Sequence, residues 1–178
     1  MSIDYFITQR YPALLGTYGT EPFSESDLAM LPSYAKQPLA ALLGVSMAAD
    51  FQLLSPASLS SQNLELAESS GSFSGQWLVF AYSGQGDFWL LHKHRNETGF
   101  YDHQAENYTL PNVTELHLKL AEWLLVADLF QQFDVLTETT PTAFTRAYTL
   151  KTAYKANFIS QLNSISPGLF ERLPFTNL

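Results

Sequence analysis

The hydrophobic pattern is clearest in the middle of the chain, where continuous apolar runs alternate with short polar segments. Residues 77–83 and 88–92 are apolar at successive positions, a pattern typical of strands that are covered on both faces. Residues 99–103 form a third short run. Between the first two runs stand Gly84 and Gly86, which supply the positive φ that a tight hairpin loop needs. The pattern predicts three consecutive antiparallel strands.

Apolar residues at three- and four-residue steps predict two helices in the C-terminal half of the chain. The first is predicted to run from Glu115 to about Phe133, with Thr114 as its N-cap. Residues 137–141 are predicted to be a linker, and a more aromatic helix is predicted between this linker and residues 166–168. The apolar positions are Leu116, Leu120, Trp123, Leu124, Ala127 and Phe130 in the first helix, and Phe144, Ala147, Tyr148, Tyr154, Phe158 and Leu162 in the second.

The N-terminal half has a weaker pattern. A brief helix is predicted near Ser24, and a second helix is predicted to begin at Pro32 and to end at Gly44. Residues 51–54 predict a short strand. Residues 58–75 are rich in serine and glycine, which predicts a loop or a weak helix and the most flexible part of the chain.

Composition excludes several kinds of chemistry. The 178 residues include no cysteine, so disulfides, thiolate catalysis and cysteine zinc sites are absent. No apolar run reaches the roughly 18 to 20 residues of a membrane span. Asp4 and Arg10 interrupt the pattern of a secretory signal peptide. We therefore expect a soluble, cytoplasmic protein.

The formal net charge is −8, and its distribution is uneven. Acids predominate in residues 1–138, whereas residues 139–178 carry four bases and one acid. A body of this charge repels nucleic acid and attracts a basic partner. We therefore expect no nucleic acid partner and no membrane partner.

Two arrangements could carry chemistry at the first hairpin. Gly84-Gln85-Gly86-Asp87 lacks the third glycine of a dinucleotide fingerprint and precedes a strand, so it favours a hairpin loop over a phosphate site. Ser83 does not lie in a Gly-x-Ser-x-Gly nucleophile elbow.

Histidines and carboxylates follow the predicted strands. His92 and His94 are two residues apart, and Asp102 and His103 come at the end of the next predicted strand. Imidazole and carboxylate groups so placed could bind a divalent ion, with His92, His94 and His103 as the candidate ligands. Glu115 and Glu122 would lie on one face of the predicted long helix, as a paired-carboxylate site or, more simply, as a solvated face.

The order of several short motifs resembles the SUKH superfamily. These motifs are Leu31-Pro32-x-Tyr34, the Phe-x-Leu-Leu-Ser-Pro-x-x-Leu segment at residues 51–59, Phe-Ala-Tyr-Ser-Gly-x-Gly-Asp at residues 80–87, and Phe-Tyr-Asp-His at residues 100–103. The resemblance covers about residues 24–134. The residues that match the family's strand and turn signature are Gly84, Gly86, Asp87, Tyr101, Asp102 and His103.

The resemblance implies an α+β fold: a twisted, mainly antiparallel sheet backed by helices, with an extra C-terminal helical segment. Residues 1–136 would form the SUKH-like domain, and residues 137–178 a helical extension packed on it. Members of this superfamily include fungal cell-wall-synthesis regulators and bacterial immunity proteins. The latter neutralise toxins, often nucleases, by protein binding without catalysis.

We therefore expect an immunity or antitoxin protein that binds a basic toxin, with no cofactor and no catalytic residue. An acidic, partly aromatic surface should face the partner, with Glu65, Glu68, Asp87 and Glu106 as candidates. Two alternatives stay open. One is a regulatory scaffold protein; the other is a small metal-dependent hydrolase whose site would use Asp87, His92, His94, Asp102 and His103.

Overall fold

The computed structural model describes residues 11–19, 22–105, 107–147 and 149–174. Its helices are α1 (Tyr11–Tyr18), α2 (Ser33–Leu39), α3 (Pro56–Ser69), α4 (Gly71–Gln76), α5 (Leu120–Thr139), α6 (Thr152–Ile165) and α7 (Leu169–Arg172). Its strands are β1 (Ser46–Ala48), β2 (Phe51–Leu53), β3 (Trp77–Tyr82), β4 (Phe88–His92), β5 (Thr98–Tyr101) and β6 (Val113–Leu118).

The strands form one sheet in the order β1-β2-β3-β4-β5-β6, and each pairs antiparallel with the next. This sheet and the helices around it confirm the predicted α+β fold. The predicted meander is also confirmed as β3, β4 and β5, whose residues are buried along almost their whole length. Within the described residues, no helix has the length and apolar character needed to cross a membrane.

Helices cover both faces of the sheet, which explains the continuous apolar runs. Trp89 packs against Trp123 of α5, with the ring centroids 5.6 Å apart. The neighbouring Phe88 points to the opposite face, where it stacks on Tyr101 and Tyr108. Phe73 of α4 closes this second face by contacting the same two tyrosines.

The predicted helix from Glu115 to Phe133 is wrong at its beginning. Residues 113–118 form strand β6, and α5 begins only at Leu120. Leu116 and Leu118 are buried while the residues beside them are exposed, which is a two-residue period. Glu122, rather than Thr114, completes the start of α5, because its carboxylate accepts from the Lys119 backbone N–H at 2.8 Å.

The serine-rich segment after β2 is helical, so the weak helix is the correct one of the two predicted alternatives and the loop is wrong. Ser55 caps α3 by accepting from the Ser58 N–H at 3.2 Å. Leu59, Asn63 and Leu66 are buried at three- and four-residue spacing. This narrow buried face stabilises the helix although the rest of its sequence is polar.

The segment around Ser24 contains hydrogen-bonded turns and not the predicted brief helix. The predicted second helix is shorter than expected: α2 ends at Leu39, and a turn leads to Gly44, whose φ is +79°. The aromatic helix is also shorter, since α6 begins at Thr152 and Phe144 lies in an isolated bridge with Leu150.

The C-terminal segment packs on the same core. The predicted linker at residues 137–141 is wrong in its first half, because α5 continues to Thr139. Phe158 of α6 contacts Phe130 and Phe133 of α5, with centroid distances of 5.0 and 4.3 Å. Arg172 donates to the backbone oxygen of Leu116 at 3.3 Å. The predicted division after residue 136 therefore lies within α5.

Candidate functional site

Three connections come together at one end of the sheet, which we call the loop end. They are the β1–β2 turn at residues 49–50, the β3–β4 hairpin at residues 83–87 and the long connection from β5 to β6 at residues 102–112. Antiparallel pairing of consecutive strands brings alternate connections to the same end. The motif residues Gly84, Gly86, Asp87, Asp102 and His103 all lie here.

The two hairpin glycines have different roles. Gly86 has a φ of +90°, as predicted for a turn glycine. Gly84 is not among the described residues with positive φ; a Cβ there would come within 3.1 Å of the Ala49 oxygen. Its N–H donates to Asp50 Oδ1 at 2.9 Å, so Gly84 is needed for the close approach of the two turns.

Asp87 is the centre of a hydrogen-bond network and is only 8% exposed. Its Oδ2 accepts from the Ser83 hydroxyl at 2.8 Å, and its Oδ1 accepts from the His103 backbone N–H at 3.2 Å. The His103 Nδ1 lies 2.6 Å from the same Oδ1. Because an ionised carboxylate only accepts, Nδ1 is the donor. Asp87 therefore joins the β3–β4 hairpin to the connection after β5.

The surroundings of Asp87 favour its ionised form. Burial by itself would raise the pKa of this carboxyl, but the hydrogen bonds from His103 and Ser83 outweigh burial and lower the pKa below its ordinary value. The carboxylate is thus a stable structural acceptor at neutral pH.

The order of this network does not match a nucleophilic triad. In a triad the histidine stands between serine and carboxylate, so that it can remove the hydroxyl proton. Here the carboxylate of Asp87 stands between Ser83 and His103. The Ser83 hydroxyl donates to a carboxylate of lowered pKa, which is a weak base, and the arrangement provides no activated nucleophile.

The five candidate residues of the alternative hydrolase site lie at two ends of the sheet. His92 ends β4 and His94 lies in the next turn, whereas Asp87 precedes β4 at its other end. Five strand residues separate Asp87 from His92 by about 16 Å. His92 Nδ1 accepts from the backbone N–H groups of His94 and Arg95, at 3.1 Å each. The structure therefore separates His92 and His94 from the other three candidates, Asp87, Asp102 and His103, which do lie together.

His92 and His103 likewise cannot bind one ion together. Burial and the nearby Arg95 lower the pKa of His92, which keeps its imidazole neutral. Among the described residues, one group has metal-ligand spacing: oxygen and nitrogen atoms of Asp87, Asp102 and His103 lie within 4.8 Å of one another. The Asp87 carboxylate in this group already accepts from Ser83 and His103.

Tyr101 and Asp102 shape the connection after β5. The buried Tyr101 hydroxyl donates to the backbone oxygens of Ala105 and Asn107, at 3.0 and 2.9 Å. Asp102 Oδ1 accepts from the Gln104 N–H at 2.8 Å. These bonds position the connection for the Asp87–His103 pair.

The predicted partner-binding residues divide into three cases. Glu65 and Glu68 are exposed on α3. The carboxylate of Asp87 is buried in its network and so has an internal role. Glu106 lies outside the described residues.

Aromatic residues lie beside the exposed carboxylates. Burial and the charge of Glu65 raise the pKa of Tyr82, and the same two causes raise the pKa of Tyr108. The Tyr82 hydroxyl bonds Gln62 Oε1 at 2.6 Å, one helical turn before Glu65 on α3, and both phenols are partly exposed. Sequence reasoning missed these tyrosines and Leu64, which is 59% exposed on α3, because their exposure depends on how α3 lies on the sheet.

Further acids lie on α5 and in the β1–β2 turn. Burial raises the pKa of Asp134 in α5, and the charges of Glu138 and Asp50 raise it further. At the other end of the sheet, acids and bases compensate each other: Arg95 lies 3.3 Å from Glu97 and 3.8 Å from Glu115. Glu115 and Glu122 occupy a strand and a helix, so they do not form the helical pair considered above.

Comparisons with known proteins identify no relative. No protein-family model, curated protein or solved structure was found to match the chain. The functional interpretation therefore depends on the site itself and on the motif resemblance.

Substituting Asp87 with asparagine should change how stability depends on pH. A group with a lowered folded-state pKa stabilises the protein above its unfolded pKa, and this stabilisation is lost as pH falls through the folded value. We expect Asp87→Asn to be less stable than wild type near pH 7, with the difference shrinking below about pH 4. Urea unfolding across this range measures the effect.

The matched control is Asp102→Asn, because Asp102 is exposed and an asparagine oxygen can still accept from the Gln104 N–H. Its stability difference from wild type should stay small at every pH. Parallel curves for wild type and Asp87→Asn would contradict the assigned role of this carboxylate.

Proposed function

We propose that this chain is a non-enzymatic binding protein of SUKH type, an immunity protein that neutralises a basic toxin by occluding it. The observation that carries the proposal is the exposed, uncompensated acidic and aromatic surface at the loop end. There Glu65 and Glu68 are exposed on α3, and the charge of Glu65 adds to the effect of burial in raising the pKa of Tyr82 and of Tyr108. Acidic groups around partly exposed aromatic rings fit a basic protein partner.

The contrast between the two ends of the sheet supports this proposal. The carboxylates of Glu65 and Glu68 form no ion pair or hydrogen bond with any described residue. At the opposite end, Arg95 compensates two glutamates. The negative potential is therefore concentrated where a partner can approach, and this accelerates encounter with a positive surface.

A catalytic function has less support. The hairpin serine, aspartate and histidine are linked in an order that does not activate a nucleophile. The histidines at residues 92 and 94 lie too far away to contribute. The Asp87 network instead has the properties of a structural element that supports the adjoining surface.

The test is affinity capture from the native host with tagged wild-type protein, followed by titration of the captured protein's toxic activity. We expect a basic protein whose activity is suppressed near equimolar amounts. Glu65→Lys/Glu68→Lys should weaken its binding by about tenfold or more, since like charges would face each other. The control, Glu25→Lys/Glu171→Lys, makes the same change in net charge at other exposed positions.

Three results would contradict the proposal. The captured protein's activity could be unaffected by an excess of this chain, both double variants could weaken binding equally, or the capture could yield only host regulatory proteins. The last result would support the scaffold alternative instead.

A further inference from the structure

Glu65, Tyr82 and Tyr108 define a small surface at the loop end, which we call the Glu65 cup. Its floor is a row of aromatic rings: Phe88 lies 5.4 Å from Tyr82 and 6.1 Å from Tyr108, measured between ring centroids. The Phe88 and Tyr108 rings are nearly parallel, with an interplanar angle of 8°. Tyr82 and Tyr108, which are partly exposed, therefore both pack against the buried Phe88.

The floor of the cup is firmly supported. The Tyr82 hydroxyl bonds Gln62 Oε1 at 2.6 Å, which links the end of β3 to α3. Ser70 donates to the Tyr108 backbone oxygen at 2.7 Å, which links α3 to the connection after β5. A site held by side chains from three elements needs little rearrangement to bind a ligand.

The carboxylate of Glu65 is available for a ligand. It is exposed and has no hydrogen-bond or ion-pair partner among the described residues. It is close enough to both phenols to contribute to their raised pKa values, after the larger contribution of burial. Gln62, one helical turn before Glu65, also bonds the Tyr82 hydroxyl, so a cation bound by the Glu65 carboxylate would lie near the partly exposed tyrosines.

An arginine side chain meets these requirements better than a lysine side chain. Its planar guanidinium can stack on an aromatic ring while donating two parallel hydrogen bonds to a carboxylate. A lysine ammonium is a compact, strongly hydrated charge that cannot do both.

We propose that the Glu65 cup receives an arginine side chain of the partner protein. This proposal deepens the proposed function and rests on it, since it assigns one contact of the partner interface. Arginine held in this way becomes partly desolvated, which is typical of the residues that contribute most to an interface.

The probes are two acetylated and amidated tripeptides, Gly-Arg-Gly and Gly-Lys-Gly, titrated into the full chain. Aromatic NMR resonances of Tyr82 and Tyr108 report binding. We expect the arginine peptide to bind more tightly than the lysine peptide by about fivefold, because stacking adds to the charge interaction. Glu65→Gln should weaken arginine binding by about tenfold.

Glu68→Gln is the matched control, because it removes the same charge one helical turn further along α3. We expect it to change binding of the arginine peptide by less than about twofold, as expected for an exposed charge without an aromatic neighbour. Equal shifts with both peptides, or equal effects of Glu65→Gln and Glu68→Gln, would overturn the proposal.

Failure of this proposal differs from failure of the proposed function. If the arginine peptide binds as described but no basic toxin is captured, the proposal for the Glu65 cup is supported and the proposed immunity function is contradicted. A basic toxin could instead be captured and neutralised while Glu65→Gln leaves the affinities for the toxin and for the arginine peptide unchanged. The proposed function would then be supported, and the proposal for the Glu65 cup would be contradicted.

Discussion

Replacing Asn63 with leucine is expected to lower the free energy of unfolding by about 3 kcal/mol, because two buried backbone groups would lose their partners. Asn63 Nδ2 donates to the Val79 oxygen at 2.8 Å, and Asn63 Oδ1 accepts from the Val79 N–H at 2.9 Å. Strand β2 ends at Leu53, which pairs with Ala81, so it does not reach Val79. The side-chain amide therefore replaces a neighbouring strand at this position.

Leucine has the same branching and the same number of side-chain heavy atoms as asparagine, so no cavity would form and the loss would come from hydrogen bonding. Urea unfolding followed by circular dichroism gives the free energy. Ser61→Ala, at an exposed position of the same helix, is the control and should change stability by less than about 0.5 kcal/mol. An Asn63→Leu protein as stable as this control would show that other groups can satisfy Val79.

Replacing Trp123 with alanine is expected to lower the free energy of unfolding by about 4 kcal/mol, the usual range for removing a buried aromatic ring. Trp123 is fully buried where α5 meets the sheet. Its ring lies 4.7 Å from Phe80, 5.2 Å from Phe51 and 5.6 Å from Trp89, between centroids. Alanine would leave a cavity lined by these rings, which other side chains cannot fill.

Two phenylalanine variants separate packing from hydrogen bonding. Trp123 Nε1 has no hydrogen-bond partner among the described residues, whereas Trp89 Nε1 donates to the Asp50 oxygen at 2.6 Å. Trp123→Phe and Trp89→Phe make the same change in ring size. We expect Trp89→Phe to lower the free energy of unfolding by about 1 kcal/mol more than Trp123→Phe does, which is the net value of one hydrogen bond. Equal losses would contradict this assignment.

The central strands could be predicted because their signal is local. Strands β3 and β4 are continuous apolar runs of five or six residues, too short for typical helices and separated by a glycine-containing segment. Burial on both faces removes the polar alternation, which is what the structure shows. The α+β class was implied by the motif resemblance, and the sheet and its helices confirm it.

The boundary between β6 and α5 could not be predicted from periodicity. Leu116 and Leu120 are four residues apart and look like one helical face, yet they lie in a strand and a helix. The deciding interactions come from elsewhere in the chain: β6 pairs with β5, and Asn96 Oδ1 accepts from the Leu120 N–H at 3.0 Å. Such long-range contacts override local preference.

In the candidate site, too, some features could be predicted from the local sequence and others depend on the tertiary structure. Local sequence identified Gly86 as a turn residue, and the structure gives it a φ of +90°. The pairing of Asp87 with His103 depends on the register in which Phe88 lies opposite Tyr101. The same register places His92 at the far end of β4, which no spacing in the sequence reveals.

The sequence by itself determined the absence of cysteine chemistry, the negative charge and the apolar strands at the centre of the sheet, since each is a property of composition or of neighbouring residues. Only the tertiary structure decided that the serine-rich segment is helix α3, because its stability comes from Leu59, Asn63 and Leu66 packing on the sheet. That packing also places Glu65 beside Tyr82 and Tyr108. Surfaces assembled from distant segments depend on register and helix docking, and neither can be deduced from local pattern.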